Sequence, residues 1–376
     1  KVVFLFLPRD RMKFPAKKQS SQTIAAALIS WFDKNQRDLP WRKTRDPYAI
    51  WVSEVMLQQT QVATVIPYFQ RFMDAFPSVK SLALADVQHL LSHWQGLGYY
   101  RRARFLHQAA KIIHADFEGV VPQSPDQLSA LPGMGKYTCN AVLSQAFDKK
   151  LPILEANSKR VLARLFAWDK SVDDSAGNKF LWLKAEEILP DKKVGQFNQG
   201  LMELGSLVCT VTKPSCSACP LYGYCLAHLQ GKTESIPLKK LRPAVTILRE
   251  VAVAVFNKSG IVLGKRPSGH RWAGLWETPH RVIQENDDSS ELAQNLSAEL
   301  MPKKIRSIRL VGRVDYPVTR FRYLMEVFAI QSSEVWRSSF YEEVKRVSWQ
   351  EISDLPMSSP QRRLLSLIRK SSHSEK

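Results

Sequence analysis

The chain has 376 residues, 44 % of them hydrophobic, and sets 54 Lys and Arg against 35 Asp and Glu for a formal net charge of +19. That length accommodates two domains with sizeable cores, and the positive field draws polyanions, either nucleic acid or an anionic membrane surface. No apolar run reaches the roughly 20 residues that cross a bilayer, and Val2–Leu7 is too short for a signal-peptide core, which argues against a membrane-spanning or secreted protein and for a cytosolic, reduced one.

Residues 1–20 read as an N-terminal extension. The chain does not open on methionine; translation is expected to start at Met12, with residues 1–11 foreign to the native protein. From Ser21 to about Gln230 the pattern is helical. Ile24, Leu28, Ile29 and Phe32 recur at helical spacing, as do Leu82, Leu84, Val87, Leu90 and Leu91, and then Ala103, Leu106, Ala110 and Ile113. Pro and Gly punctuate these segments, at Pro40, Pro47, Pro77, Gly96, Gly98, Pro122 and Pro132-Gly133.

Four segments of this region carry chemistry. Tyr48–Val62 is apolar through its first half, with Glu54 among Trp51, Val52, Val55 and Leu57. Glu54 lies either on an exposed helix face or out of water, where desolvation favours the protonated, proton-donating carboxyl. Gly96-Leu-Gly-Tyr-Tyr-Arg-Arg-Ala-Arg104 reads either as a helix cap followed by a solvated basic helix or as an aromatic wedge beside three cations, suited to entering a base stack. Leu128–Val142 reads as a helix end, a tight turn at Gly133 and Gly135, and then a second helix. Such a helix–hairpin–helix brings the backbone close and offers N–H groups to a DNA phosphate without reading sequence. Glu155 follows an apolar run, and Asn157 is placed to cap a helix starting near Ser158. Glu155 is either a capping charge or an anion that supports a developing positive sugar.

Four of the five cysteines then fall within seventeen residues as Cys209-x6-Cys216-x2-Cys219-x5-Cys225. Short loops allow the four sulfurs to converge on one inorganic centre. Paired disulfides require an oxidising compartment. Structural zinc fits four thiolates but usually uses two C-x2-C knuckles, and here there is one; an iron–sulfur cluster fits the spacing better. Residues 231–244, polar and basic, read as a linker. Beyond them Val245–Leu248, Val251–Phe256 and Gly260–Leu263 are strand-like with a turn at Asn257–Gly260, Ile308–Val314 and Phe321–Ile330 add strands, and Glu291–Leu300 is helical. Residues 245–369 therefore form a separate α+β domain, and residues 370–376 a disordered tail.

Together these segments resemble the MutY-type adenine DNA glycosylases, within the helix–hairpin–helix superfamily that includes endonuclease III. The resemblance covers roughly Ile24 to Lys370. It rests on Arg37-Asp-Leu-Pro-Trp-Arg42, Trp51-Val-Ser-Glu-Val-Met-Leu-Gln-Gln-Thr-Gln61, Gly96-Leu-Gly-Tyr-Tyr100, Leu131-Pro-Gly-Met-Gly135, Asn198-Gln-Gly-Leu-Met-Glu-Leu-Gly205 and the four cysteines. It implies a mainly α glycosylase domain over residues 21–230, with a [4Fe–4S] cluster held by Cys209, Cys216, Cys219 and Cys225 in the loop 209–225, followed by a MutT-like (Nudix-fold) α+β domain marked by Arg271-Trp-Ala-Gly-Leu-Trp-Glu-Thr-Pro279.

The activity implied is excision of adenine mispaired with 8-oxoguanine or guanine in double-stranded DNA, the base leaving the stack before its bond breaks. Glu54 would protonate the adenine and Tyr99 would wedge beside the lesion. Arg37, Trp41, Leu57, Gln59 and Glu203 would line the adenine pocket, and Gly133, Gly135 and Lys136 would meet phosphate. Tyr137 stands where bifunctional relatives carry a lysine nucleophile; a phenol forms no Schiff base, so the resemblance implies a monofunctional enzyme. The expected protein is a cytoplasmic, nucleoid-associated, bacterial-type monomer.

Two departures stand out. Glu155-Ala-Asn157 replaces the family's Asp-Gly-Asn, lengthening a catalytic arm by one methylene, and Val318-Thr319-Arg320 replaces a Phe-Ser-His lesion-recognition triplet. Thr319 and Arg320 remain the expected lesion contacts. A weakly catalytic lesion- or mismatch-binding homologue is the alternative reading; a bifunctional glycosylase/lyase is disfavoured by Tyr137.

Overall fold

The structure, a computed structural model, describes residues 21–238, 244–301, 303, 305 and 307–373. The N-terminal extension, the expected start at Met12, residues 239–243 of the linker and residues 374–376 lie outside the described residues. Helices run in chain order as α1 (Ser21–Asn35), α2 (Pro47–Leu57), α3 (Val62–Ala75), α4 (Val79–Leu84), α5 (Val87–Trp94), α6 (Arg101–Asp116), α7 (Pro125–Ser129), α8 (Lys136–Phe147), α9 (Ala156–Leu165), α10 (Ser175–Glu187), α11 (Val194–Leu207) and α12 (Leu226–Leu229). There follow β1 (Thr246–Asn257), β2 (Gly260–Lys265), β3 (Trp276–Glu277), β4 (His280–Ile283), α13 (Ser289–Leu300), β5 (Arg309–Val318), β6 (Phe321–Gln331), β7 (Glu343–Ser348) and α14 (Ser359–His373). Among the described residues no helix is long and apolar enough to cross a membrane.

Contacts divide the chain into two compact units. One comprises residues up to Trp51, Gln123–Ala130 and Met134–Lys240. Its core gathers Ile24 and Leu28 of α1, Leu162 of α9 and Phe197, Leu201 and Leu204 of α11. Helix α11 is central because it is thin at two points. A Cβ on Gly195 would stand 2.6 Å from the Ser144 carbonyl oxygen of α8, and one on Gly205 would stand 2.6 Å from the Cβ of Asn157 on α9. Backbone approach of this kind admits only glycine.

The other unit comprises Val52–Pro122, Leu131–Gly133 and the chain from Leu241 onward. Its sheet has the order β3-β2-β1-β6-β5, with β4 on β1 and β7 on β2; β1 and β6 run parallel and the remaining pairs antiparallel. The alternation along β1 feeds two cores. Val251, Val253 and Val255 pack with Ala293 and Leu296 of α13, and Ala252, Ala254 and Phe256 pack with Leu364, Leu365 and Ile368 of α14. The β1–β2 turn falls where Asn257-Lys-Ser-Gly260 predicts it, the Asn257 carboxamide oxygen accepting from the Ser259 and Gly260 N–H groups. Within the same unit, Tyr100 donates to the Met357 carbonyl at 3.0 Å, and Gln88 accepts from the Trp276 indole at 3.1 Å.

Two expectations are corrected. Leu82–Leu91 is not one helix. Asp86 accepts from the Gln88 and His89 N–H groups and starts α5 afresh. Residues 370–373 are not tail, since α14 continues to His373, its buried Leu364, Leu365 and Ile368 anchoring that face.

Candidate active site and DNA interface

Helix α2 is buried on every side from Tyr48 to Met56. Glu54 is 4 % exposed, so the exposed-face reading of this residue is set aside and the desolvated one stands. Its neighbours carry no other ionisable group between Ile50 and Leu57. At the end of α2, Leu57 is half-buried and Gln59 is exposed, with Gln59 in the left-handed region at φ 56°. Such a conformation in a residue other than glycine marks stored strain and gathers at functional sites.

The Gly96–Tyr99 turn repeats the device: Gly96, Gly98 and Tyr99 have φ of 101°, 70° and 47°. Tyr99 stands 49 % exposed beyond it. Of the three arginines that follow, only Arg101 is exposed. Arg102 is buried, and Arg104 is half-buried and donates to the Ala273 carbonyl. The solvated-basic-helix reading is therefore corrected: two of the three cations are spent inside the fold.

Gly133, at φ 78°, has no room for a side chain; a Cβ would stand 2.8 Å from that of Phe105. Gly135, the N-cap of α8, has ordinary backbone at φ −72° and nothing within 4 Å of a Cβ. Neither strain nor packing within the protein calls for glycine there, and the open space lies at a helix N-terminus, where backbone N–H groups favour an anion. Lys136 begins α8 with its ammonium 4.0 Å from the centroid of the Trp182 ring. Tyr137, next along, is half-buried, and its hydroxyl meets Met202 Sδ at 3.3 Å.

Helix α9 begins at Ala156, and its cap is Glu155, not Asn157. The Glu155 side chain is long enough to reach two N–H groups, accepting from Asn157 at 2.8 Å and from Ser158 at 2.7 Å, while the Ser158 hydroxyl accepts the Glu155 N–H at 2.8 Å. Burial raises the Glu155 carboxyl above its ordinary value, and these N–H groups and Arg160 oppose the rise. Asn157 accepts instead from Arg160, whose guanidinium also reaches the Gly205 and Cys209 carbonyls, each at 2.8 Å.

Glu203, fully buried on α11, accepts from the Arg37 N–H and from both guanidinium groups of Arg37 and Arg42 at 2.6–3.0 Å. Burial pushes this carboxyl up, but the two arginines outweigh it and hold it at about 2. Five N–H donors fill the lone pairs a carboxylate offers. Arg37 and Glu203 are thus brought together, anchoring the Arg37–Arg42 segment that carries the buried Trp41.

Cys209, Cys216, Cys219 and Cys225 are all free thiols and border one cavity. Arg164, buried behind them, donates to the carbonyls of Thr210 and Val211 and lies 3.3 Å from Cys209 Sγ. Burial, with the neighbouring sulfurs adding to it, pushes Cys219 up to about 12 and Cys225 up to about 11, so a thiolate set here fits a cationic centre that offsets its charge. Among the described residues no group of three or more His, Cys, Asp or Glu side chains is arranged to hold a single metal ion.

The β5–β6 hairpin turns at Thr319, which has φ 52°. A cavity of about 970 Å³ is bordered by Tyr99, His270, Trp272, Val318 and Thr319. Arg320 does not border it; its guanidinium lies over Phe321, 5.0 Å from the ring centroid. Trp272, also left-handed at φ 60°, went unremarked in the sequence as a wall of this cavity, as did Arg160 and Arg164 as supports of the cysteine loop. Gly269 and Gly274 around Trp272 are the local signal; the two arginines gave none beyond helical spacing of four.

The description "HhH-GPD superfamily base excision DNA repair protein" matches residues 52–186, and that of a NUDIX domain matches residues 251–367. The chain is 38 % identical over 314 residues to the adenine DNA glycosylase of Arabidopsis thaliana, covering 73 % of this chain and 50 % of the plant protein, and so spans half of that relative's length. It is 36 % identical over 314 residues to the adenine DNA glycosylase of Buchnera aphidicola subsp. Acyrthosiphon pisum, covering 82 % of this chain and 90 % of the relative. Among solved structures it resembles a thermostable thymine-DNA glycosylase at 29 % identity and a TM-score of 0.52, covering 56 % of this chain and 97 % of that one. The Buchnera match, spanning nine-tenths of that relative, shows that this chain belongs to the adenine DNA glycosylase family.

Proposed function

We propose that the protein is a monofunctional adenine DNA glycosylase of base-excision repair, acting as a monomer on double-stranded DNA at adenines mispaired with 8-oxoguanine or guanine. The observation that carries this is Glu54, 4 % exposed in a mostly apolar buried helix that ends in the strained Gln59 loop. Once adenine is extruded, Glu54 gives it a proton, and the base leaves with the bonding electron pair. Positive charge is left on the deoxyribose. Glu155, held at the N-terminus of α9, supports that charge until water adds, its proton restoring the Glu54 carboxyl. Tyr137 offers a phenol in place of an amine, so the reaction ends at the abasic site without a Schiff-base intermediate.

Cys209, Cys216, Cys219 and Cys225 would hold a [4Fe–4S] cluster. Its part is to shape the loop that Arg160 and Arg164 tie to α9. The engagement of both Glu155 oxygens by backbone N–H groups favours one competing reading, a lesion-binding homologue with little catalysis. Single-turnover release of adenine from 8-oxoguanine:adenine, guanine:adenine and undamaged duplexes separates them. The proposal requires release from the first two; tight lesion binding without release would establish the competitor.

A further inference from the structure

Arg102 lies where the sequence reads as surface charge, yet its side chain is buried and spans two loops. One terminal nitrogen donates to the carbonyls of Val55 and Met56, at 2.8 and 2.9 Å, and to that of Gln58. These belong to the last turn of α2 and the residue before Gln59, whose carbonyls have no partner within the helix. The other terminal nitrogen donates to the Thr60 hydroxyl at 3.2 Å and to the Leu97 and Gly98 carbonyls at 3.1 and 3.3 Å. The guanidinium plane also lies 5.6 Å from the Tyr99 ring centroid. Gln59 and Tyr99, both exposed and both held in left-handed backbone, are thus the immediate chain neighbours of groups fixed by one side chain. Both border a cavity of about 320 Å³ with Arg102, Phe105 and Gly133.

We infer that Arg102 is a positioning residue: its guanidinium locks the Gln58–Thr60 loop against the Gly96–Tyr99 turn, so that the Tyr99 wedge is held in fixed register with Gln59 and with the end of α2 that carries Glu54. This rests on the glycosylase reading and adds to it a residue that touches neither base nor sugar. A lysine retains the charge but not the planar fork, and cannot serve both loops at once. A wedge misplaced by about 1 Å costs on the order of 100-fold in rate.

The test is a double-mutant cycle on the full-length protein, combining Arg102→Lys with Tyr99→Ala and, in parallel, Thr60→Val with Tyr99→Ala. Two quantities are read: the single-turnover rate on 8-oxoguanine:adenine duplex, and the fluorescence rise when 2-aminopurine replaces that adenine and is extruded. Arg102→Lys alone is expected to lose roughly 100-fold in rate and most of the fluorescence rise, and Thr60→Val to lose less in the same direction. In the Tyr99→Ala background both should add little, because the wedge they position is gone. Additive losses would mean Arg102 only stabilises the fold and would overturn the inference, as would wild-type rates in both single variants. Should Arg102→Lys fail to fold, the Thr60→Val cycle decides by the same criterion. Wild-type protein that extrudes 2-aminopurine but releases no adenine overturns the glycosylase reading alone, and the extrusion signal then carries the cycle.

Discussion

Glu155 and Ser158 cap one another at the start of α9, the carboxylate taking the Ser158 N–H at 2.7 Å and the serine hydroxyl taking the Glu155 N–H at 2.8 Å. This capping box fixes the one carboxylate in the family's motif that has an unexpected length. Because the backbone is adapted to the longer arm, Glu155→Asp is predicted to slow adenine release and Glu155→Gln nearly to abolish it, with DNA affinity retained; single-turnover rates with parallel binding measurements check both. A faster Asp variant would show that the backbone is not adapted. Burial raises the Glu155 pKa, so the folded state binds that proton more tightly than the unfolded state. Relative to Glu155→Gln, wild-type stability should therefore be greatest below the ordinary value of 4.5 and decline as pH rises through the higher folded value, measured as the difference in melting temperature.

Glu203 should behave oppositely. Its carboxyl is held down at about 2, so its contribution is complete above 4.5 and is lost as pH falls toward 2. Glu203→Gln leaves the mostly buried Arg42 without its carboxylate and is predicted to cost about 3 kcal/mol at neutral pH. Denaturant unfolding at pH 7 and pH 4 should show the deficit shrinking in acid; a deficit unchanged between them would remove the electrostatic account.

Tyr137 predicts the chemistry of the product. Borohydride should trap no covalent protein–DNA adduct, and strand breaks should appear only after alkali. Tyr137→Lys should gain trapping. Efficient trapping by the wild type that disappears in Lys136→Ala would assign the lysine over Trp182 as a nucleophile and change the subclass.

The cysteine loop predicts a coloured protein. A [4Fe–4S] cluster gives broad visible absorbance and a yellow-brown preparation, and removing it should release the loop that Arg164 binds and weaken DNA affinity. Colourless protein containing one zinc per chain, with full affinity, would contradict the cluster.

Local signals in the sequence located the cysteines, the glycine hairpin, the β1–β2 turn and Glu54, since each is written in spacing or composition within a few residues. What escaped depends on long reach. Arg37 and Glu203 are 166 residues apart, and nothing in either segment announces their pairing. The sequence offers Glu155 as a capping charge but gives the cap position itself to Asn157, because capping rules favour short polar side chains. Arg102 and Arg104 read as solvated charge because periodicity in a basic run does not reveal that a guanidinium is spent on backbone carbonyls. The position of the hairpin turn at Thr319, with the Arg320 guanidinium over Phe321, is likewise not written in the Val318-Thr319-Arg320 triplet.

Glu54→Gln in a single-turnover assay on 8-oxoguanine:adenine duplex tests the account most directly. Glutamine keeps the shape and removes the proton that is given to the departing base. The prediction is adenine release by the wild type and a fall of at least roughly 100-fold in the variant, with duplex affinity unchanged. Equal rates in the two proteins would reduce Glu54 to a structural residue and contradict the mechanism.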